Sequence, residues 1–183
     1  MRSRIIAAAR ELLAGPSSSV FSVDAVAERA DVARMTVYYQ FKSKAKLLEA
    51  LFDDFAARAD MKGLRKAFQD PSPARGLAIL IGVFCHLWAT ERPLLRRLNA
   101  LAALDPEIDH AMTERGSWRR EAITEMLQRF GRQDLTAELV DVLHVLTSFE
   151  TYDALATGHR KPQDVAALLG RTAAAMLTEV REP

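Results

Sequence analysis

Apolar positions recur three and four apart along almost the whole chain, and no stretch alternates in the manner of a half-buried strand. Residues 2–14 carry Ile5, Ile6, Ala9, Leu12 and Leu13 on one stripe and stop at Gly15-Pro16. Ser17-Ser18-Ser19 reads as loop. Ser22 is an N-cap candidate for a very short helix that ends at Ala30. Asp31 sits at a break, and 33–39 form a second short helix. Ser43 then caps a long helix over 44–68, with Leu47, Leu48, Leu51, Phe52 and Phe55 on its stripe. The turn Asp70-Pro71-Ser72-Pro73 is the strongest break and the best domain boundary by composition. Helices follow over 74–90, stopped by Pro93, and over 94–104, stopped by Asp105-Pro106. A long one covers 107–130 with a weak point at Gly116. The last two run over 134–156, closed by Gly158, and from Pro162 to about Val180. The expectation is an all-α chain of about nine helices, three short ones first.

Composition narrows the class. Of 183 residues 49% are hydrophobic and 27% charged, as in an ordinary globular chain. Cys85 is the only cysteine, so no intrachain disulfide forms and a reducing compartment is expected. No apolar run follows the basic start, and the longest apolar stretch, 77–87, is interrupted by Gly82 and short for a bilayer. A cytoplasmic protein without a membrane partner is expected. The net charge of +1 conceals an asymmetry. Residues 1–48 hold eight Lys/Arg against four Asp/Glu, and the remainder holds 17 against 20. A basic quarter on an acidic body suits a polyanion, although a short segment also reaches this balance by chance.

Residues 23–42, VDAVAERADVARMTVYYQFK, meet the demands of a helix–turn–helix. Ala27 and Ala30 are small where two helices must touch, and Val26, Val32 and Val37 are apolar anchors. Asp31 is among the few non-glycine residues that enter the left-handed region at modest cost. Two plain surface helices are the alternative. Tyr38 and Tyr39 are adjacent, so both rings cannot face one core.

The stretch SVDAVAERADVARMTVYYQFKSKAKLLEAL resembles the DNA-binding region of the TetR family of bacterial transcriptional repressors. The resemblance is carried by Val26-Ala27, Ala30, Val32, Thr36-Val37-Tyr38, Phe41, Ser43-Lys44 and Leu47, and the preceding RIIAAARELLAG also fits. It covers about the first 50 residues. Asp31 stands where the family has Gly, Ala33 where it has a capping Ser, Ser22 for Thr and Gln40 for His or Tyr. The chain begins almost at its first helix, so no long basic arm is expected. The resemblance implies a three-helix DNA-binding domain over 1–48 and a helical ligand-binding and dimerisation domain over 49–183, joined by the long helix 44–68, which would couple them.

It also implies roles. Tyr38 and Lys44 would bind phosphates, with Ser22, Thr36 and Gln40 nearby. Physically, Lys44 falls at a helix N-terminus, which itself favours a phosphate. Arg34 is the candidate for a guanine edge, since a guanidinium grips it bidentately; phosphate or solvent contact is the alternative. Met35 would touch a thymine methyl or shield the helix. Tyr39 would meet the groove wall or pack on the first helix. Val37 and Phe41 read as core.

In the second domain the apolar faces of 134–156 (Leu135, Leu139, Val142, Leu143, Leu146, Phe149) and 162–180 (Val165, Leu168, Leu169, Ala173, Met176, Leu177) suggest a homodimer through the last two helices, or an internal core. Large side chains in the middle helices suggest an apolar or aromatic effector pocket among Phe84, Trp88, Trp118, Phe149 and Tyr152, with Arg97 and His110 (and Arg96) as polar contacts. Ordinary core is the plain reading for each. Cys85 reads as a buried small hydrophobe. Glu107/His110 and Asp141/His144 have the spacing of a metal-ligating helix face, but inward glutamate partners are lacking, so neither metal nor cofactor is expected. No HExxH, phosphate loop or nucleophile motif occurs, so an enzyme is not expected. The functional expectation is a ligand-responsive repressor that binds a palindromic double-stranded operator as a homodimer and is released by a small effector. The rival is a helical enzyme or metal-binding protein with a vestigial DNA-binding segment.

Overall fold

The computed structural model describes residues 1–15, 21–58, 61–131, 137–158 and 160–179. The predicted stop at Pro16, the serine triplet, Asp134, Leu135 and the end at Val180 lie outside them. Among the described residues the chain is all-α, with eleven helices in place of nine. They are α1 (Arg2–Ala14), α2 (Val23–Arg29), α3 (Arg34–Phe41), α4 (Lys44–Arg58), α5 (Met61–Gln69), α6 (Pro73–Thr90), α7 (Arg92–Ala102), α8 (Pro106–Gln128), α9 (Ala137–Leu146), α10 (Phe149–Leu155) and α11 (Pro162–Glu179).

The predicted 44–68 helix is described over α4 and α5, and residues 59 and 60 between them lie outside the described residues. Another predicted helix is two. The 134–156 helix breaks at Thr147-Ser148. Ser148 caps α10 by accepting from the Thr151 N–H at 3.1 Å, and Thr147 Oγ1 donates back to the Leu143 carbonyl at 2.8 Å. Pro93, read as a stop, sits in the first turn of α7, where its missing N–H costs nothing.

The chain forms two compact units, Met1–Ala57 with Glu91–Arg115, and Arg58–Thr90 with Gly116–Pro183. In the first, α1 buries Ile5, Ala8, Ala9 and Leu13 and packs on α2 and α7. Glu91, buried just before α7, takes both its oxygens to Arg10 Nη2 at 3.0 and 2.8 Å. Arg10 also reaches Asp54 at 3.3 Å and lies over the Phe55 ring. This pairing ties α1, α4 and the start of α7 together.

In the second unit, α6 packs between α5 and α11 with Leu77, Leu80, Ile81, Phe84 and Cys85 buried. A Cβ on Gly76 would come within 2.5 Å of the Ala67 carbonyl oxygen, so α5 and α6 meet there backbone to backbone. The 77–87 run is part of this longer helix. By length and composition α6 would reach across a bilayer, yet its buried stripe is that of a core helix.

Candidate nucleic-acid interface

The short helices are built by local chemistry that presents one face outward. Ser22 caps α2 through the Ala25 N–H at 3.1 Å. The turn passes through Asp31 at φ 50°, the left-handed position expected of it. Val32 N–H then returns to the Ala27 carbonyl at 3.0 Å, closing the corner on its small residues. Ala33 starts α3 without a side-chain cap. The helix runs two residues past its predicted end, to Phe41, and closes at Lys42 with φ 67°. Val37 and Phe41 are buried, as core.

Basic side chains from α1 brace this motif. Arg2 donates to the Gln40 carbonyl at 3.0 Å and lies 4.4 Å from the centre of the Phe41 ring. Arg4 donates to the Asp31 carbonyl at 3.1 Å. Sequence reasoning missed both, because an Arg at the start of an amphipathic helix reads as solvent-facing.

The opposite face of α3 is open. Met35 and Tyr39 are 73% and 75% exposed. With Thr36 and Tyr38 they line a shallow open depression of about 460 Å³. Tyr39 does not pack on α1; the Lys42 ammonium sits 5.2 Å from its ring centre instead. Arg34 is exposed and oriented from two sides. Its Nη1 donates to Asp24 at 2.9 Å, its Nη2 to the Tyr38 hydroxyl at 3.3 Å, and the guanidinium lies over the Tyr38 ring. The Tyr38 hydroxyl and the Asp24 charge both raise the Arg34 pKa, so it stays a cation. Gln40 is half-buried beside this face. Ser22, Arg34, Met35, Thr36, Tyr38, Tyr39 and Gln40 therefore belong to one small motif. Lys44, the first residue of α4, is paired with Asp105 and lies 3.6 Å from Glu107.

The expected effector residues divide. Phe84, Trp88 and Phe149 meet in the second unit: Phe84 and Trp88 stack at 6.3 Å, and Phe149 meets Trp88 edge-on at 6.1 Å. Trp88 Nε1 donates to the Thr147 carbonyl at 3.0 Å, at the α9–α10 break. Tyr152 is buried in the core of the same unit, and Trp118 is 44% exposed. Arg97 and His110 belong to the first unit. A polar cluster escaped sequence reasoning. Arg119, only 9% exposed, donates to Thr147 Oγ1 at 3.1 Å and to the His144 carbonyl. Burial lowers its pKa to about 10. Its Nη2 lies 3.2 Å from His144 Nε2. A guanidinium only donates, so Nε2 accepts and the proton sits on Nδ1, which is buried without a hydrogen-bond partner. Asp141 is paired with Arg120 and Glu107 with Lys44. Among the described residues no three His, Cys, Asp or Glu side chains gather as a metal site.

Residues 5–51 match the family model described as bacterial regulatory proteins, tetR family. No curated protein matches the chain. Solved structures match along nearly its whole length. A TetR-like transcriptional regulator from Rhodococcus sp. RHA1 is 20% identical with a TM-score of 0.65, covering 96% of this chain and 94% of that one. A second transcriptional regulator from the same organism is 17% identical with a TM-score of 0.69, covering 97% and 96%. A transcriptional regulator of the TerR/AcrR family from Aquifex aeolicus VF5 is 13% identical with a TM-score of 0.68, covering 96% and 98%. At these identities the likeness is one of fold.

Proposed function

Since residues 5–51 match the family model of bacterial regulatory proteins of the tetR family, we propose that this chain is a DNA-binding regulator, a ligand-responsive repressor. It binds a palindromic operator as a homodimer and leaves it when a small apolar or aromatic effector binds. The open face of α3 on a basic N-terminal segment carries this reading. A helix of eight residues that buries only Val37 and Phe41 and leaves Met35 and Tyr39 to solvent is organised for a partner. Arg34 reads a base edge. Tyr38 and Lys44 bind phosphates, with Ser22, Thr36 and Gln40 close by.

The dimer face lies on α9 to α11, where Val142 and Val145 are exposed large apolar side chains. The effector site draws on the Phe84–Trp88–Phe149 cluster, whose rings suit an apolar or aromatic guest. A gel-shift assay on random-sequence and mixed genomic duplexes across a salt series tests the DNA reading. Tight, salt-sensitive binding is expected. Absence of affinity even at low salt would return the chain to the enzyme or metal-carrier reading. A thermal-shift screen of apolar and aromatic compounds tests the effector class: stabilising compounds should also release DNA.

A further inference from the structure

Lys44 already has an anion before any DNA arrives. Its ammonium is paired with Asp105 and lies 3.6 Å from Glu107 Oε2, and its side chain is only 16% exposed. Both acids come from the corner between α7 and α8, within the compact unit that contains α3 and α4. Asp105 is itself fixed. Its Oδ1 accepts from the Glu107 N–H at 3.1 Å, and its carbonyl accepts from Ile108 and Asp109 at 3.1 Å each. Partial burial pushes its carboxyl up. The Lys44 hydrogen bond and charge, with the N–H groups of Glu107 and Ile108, hold it below the usual value all the same. A phosphate approaching the start of α4 therefore meets one ammonium already flanked by two carboxylates.

We propose that Asp105 and Glu107 form an acidic clasp that competes with duplex phosphate for Lys44, so that the α7–α8 corner sets the affinity for DNA. The inference rests on the DNA-binding reading above. Binding exchanges one counter-anion of Lys44 for another. The freed carboxylates then gather cations, and the net counter-ion release falls below that expected from the Lys/Arg contacts alone.

The test uses the full chain, a labelled random-sequence duplex and fluorescence anisotropy over a salt series. It compares wild type, D105N/E107Q, K44Q and the three changes combined. The D105N/E107Q protein should bind roughly tenfold more tightly at low salt, with a salt slope steeper by about one. In the K44Q background the same two changes should alter affinity by less than about twofold, because the competition has lost its object. Asn at 105 keeps the oxygen that accepts from Glu107, so the start of α8 is retained. Should D105N/E107Q still fail to fold, E107Q alone leaves that cap untouched. It should tighten binding by roughly threefold, again only when Lys44 is present. A folded D105N/E107Q with wild-type affinity would overturn the clasp. So would an equal gain in the K44Q background, which would mark a bulk-charge effect. Wild type without affinity at any salt removes the DNA-binding reading, and the clasp with it.

Discussion

Arg34 is the residue through which sequence preference is expected to flow. Asp24 and Tyr38 hold its guanidinium at the exposed start of α3, and each good bidentate base contact is worth about 1–3 kcal/mol of discrimination. Arg34→Ala should therefore relax preference at one base pair per half-site while leaving binding to random duplex within a few-fold. Lys44→Ala should weaken binding to every sequence, and should flatten the salt slope only where Asp105 and Glu107 no longer counter the lysine, as in the D105N/E107Q protein. Equal losses on all sequences for both variants would refute the division of labour. In the second unit, His144 makes a pH prediction. Burial, then Arg119 and Arg120, lower its pKa from the ordinary 6.5, while Asp141 and Glu150 oppose them. The fold thus keeps the ring neutral, and stability should fall as pH drops below 6.5, where the unfolded chain takes a proton that the native state refuses. His144→Gln should flatten the melting temperature against pH between about 7 and 5. An unchanged slope in His144→Gln would refute the assignment. Asp31 was legible in the sequence because its left-handed turn is a matter of its own backbone. The braces Arg2 and Arg4, and the Arg119–His144 pair, were not, since each depends on a residue at least 25 positions away.

At the scale of elements, propensity and capping explain what sequence could and could not predict. The short helices α2 and α3 were found because the Ser22 cap and the anchors Val26, Val32 and Val37 lie within a few positions of each other. The break at 147–148 was missed because apolar periodicity runs straight through Ser148, which was overlooked as a cap. Ala33 offers a direct test. It opens α3 with no side-chain cap, and Ala33→Ser should add on the order of 1 kcal/mol. For a chain of this length that is a rise of about 2–4 °C in melting temperature, read by circular dichroism. No rise would mean that the start of α3 is already satisfied by other contacts.

At the scale of the molecule, the amino-terminal pattern carried most of the functional information, since a DNA-reading helix must keep its anchors and its open face whatever surrounds it. The rest of the chain was legible only as helices. Its packing depends on which stripes meet, and Phe84, Trp88 and Phe149 come together from segments more than 60 residues apart. The central claim, a two-fold repressor reading DNA through α3, has one most direct measurement: selection of binding sites from a random duplex pool by the purified chain, with the mass of the selected complex determined. Such a repressor should enrich an inverted repeat, with half-sites about one helical turn apart or a multiple of it, bound by an even number of copies. Enrichment of no sequence, or of an asymmetric site bound by a single copy, would contradict it.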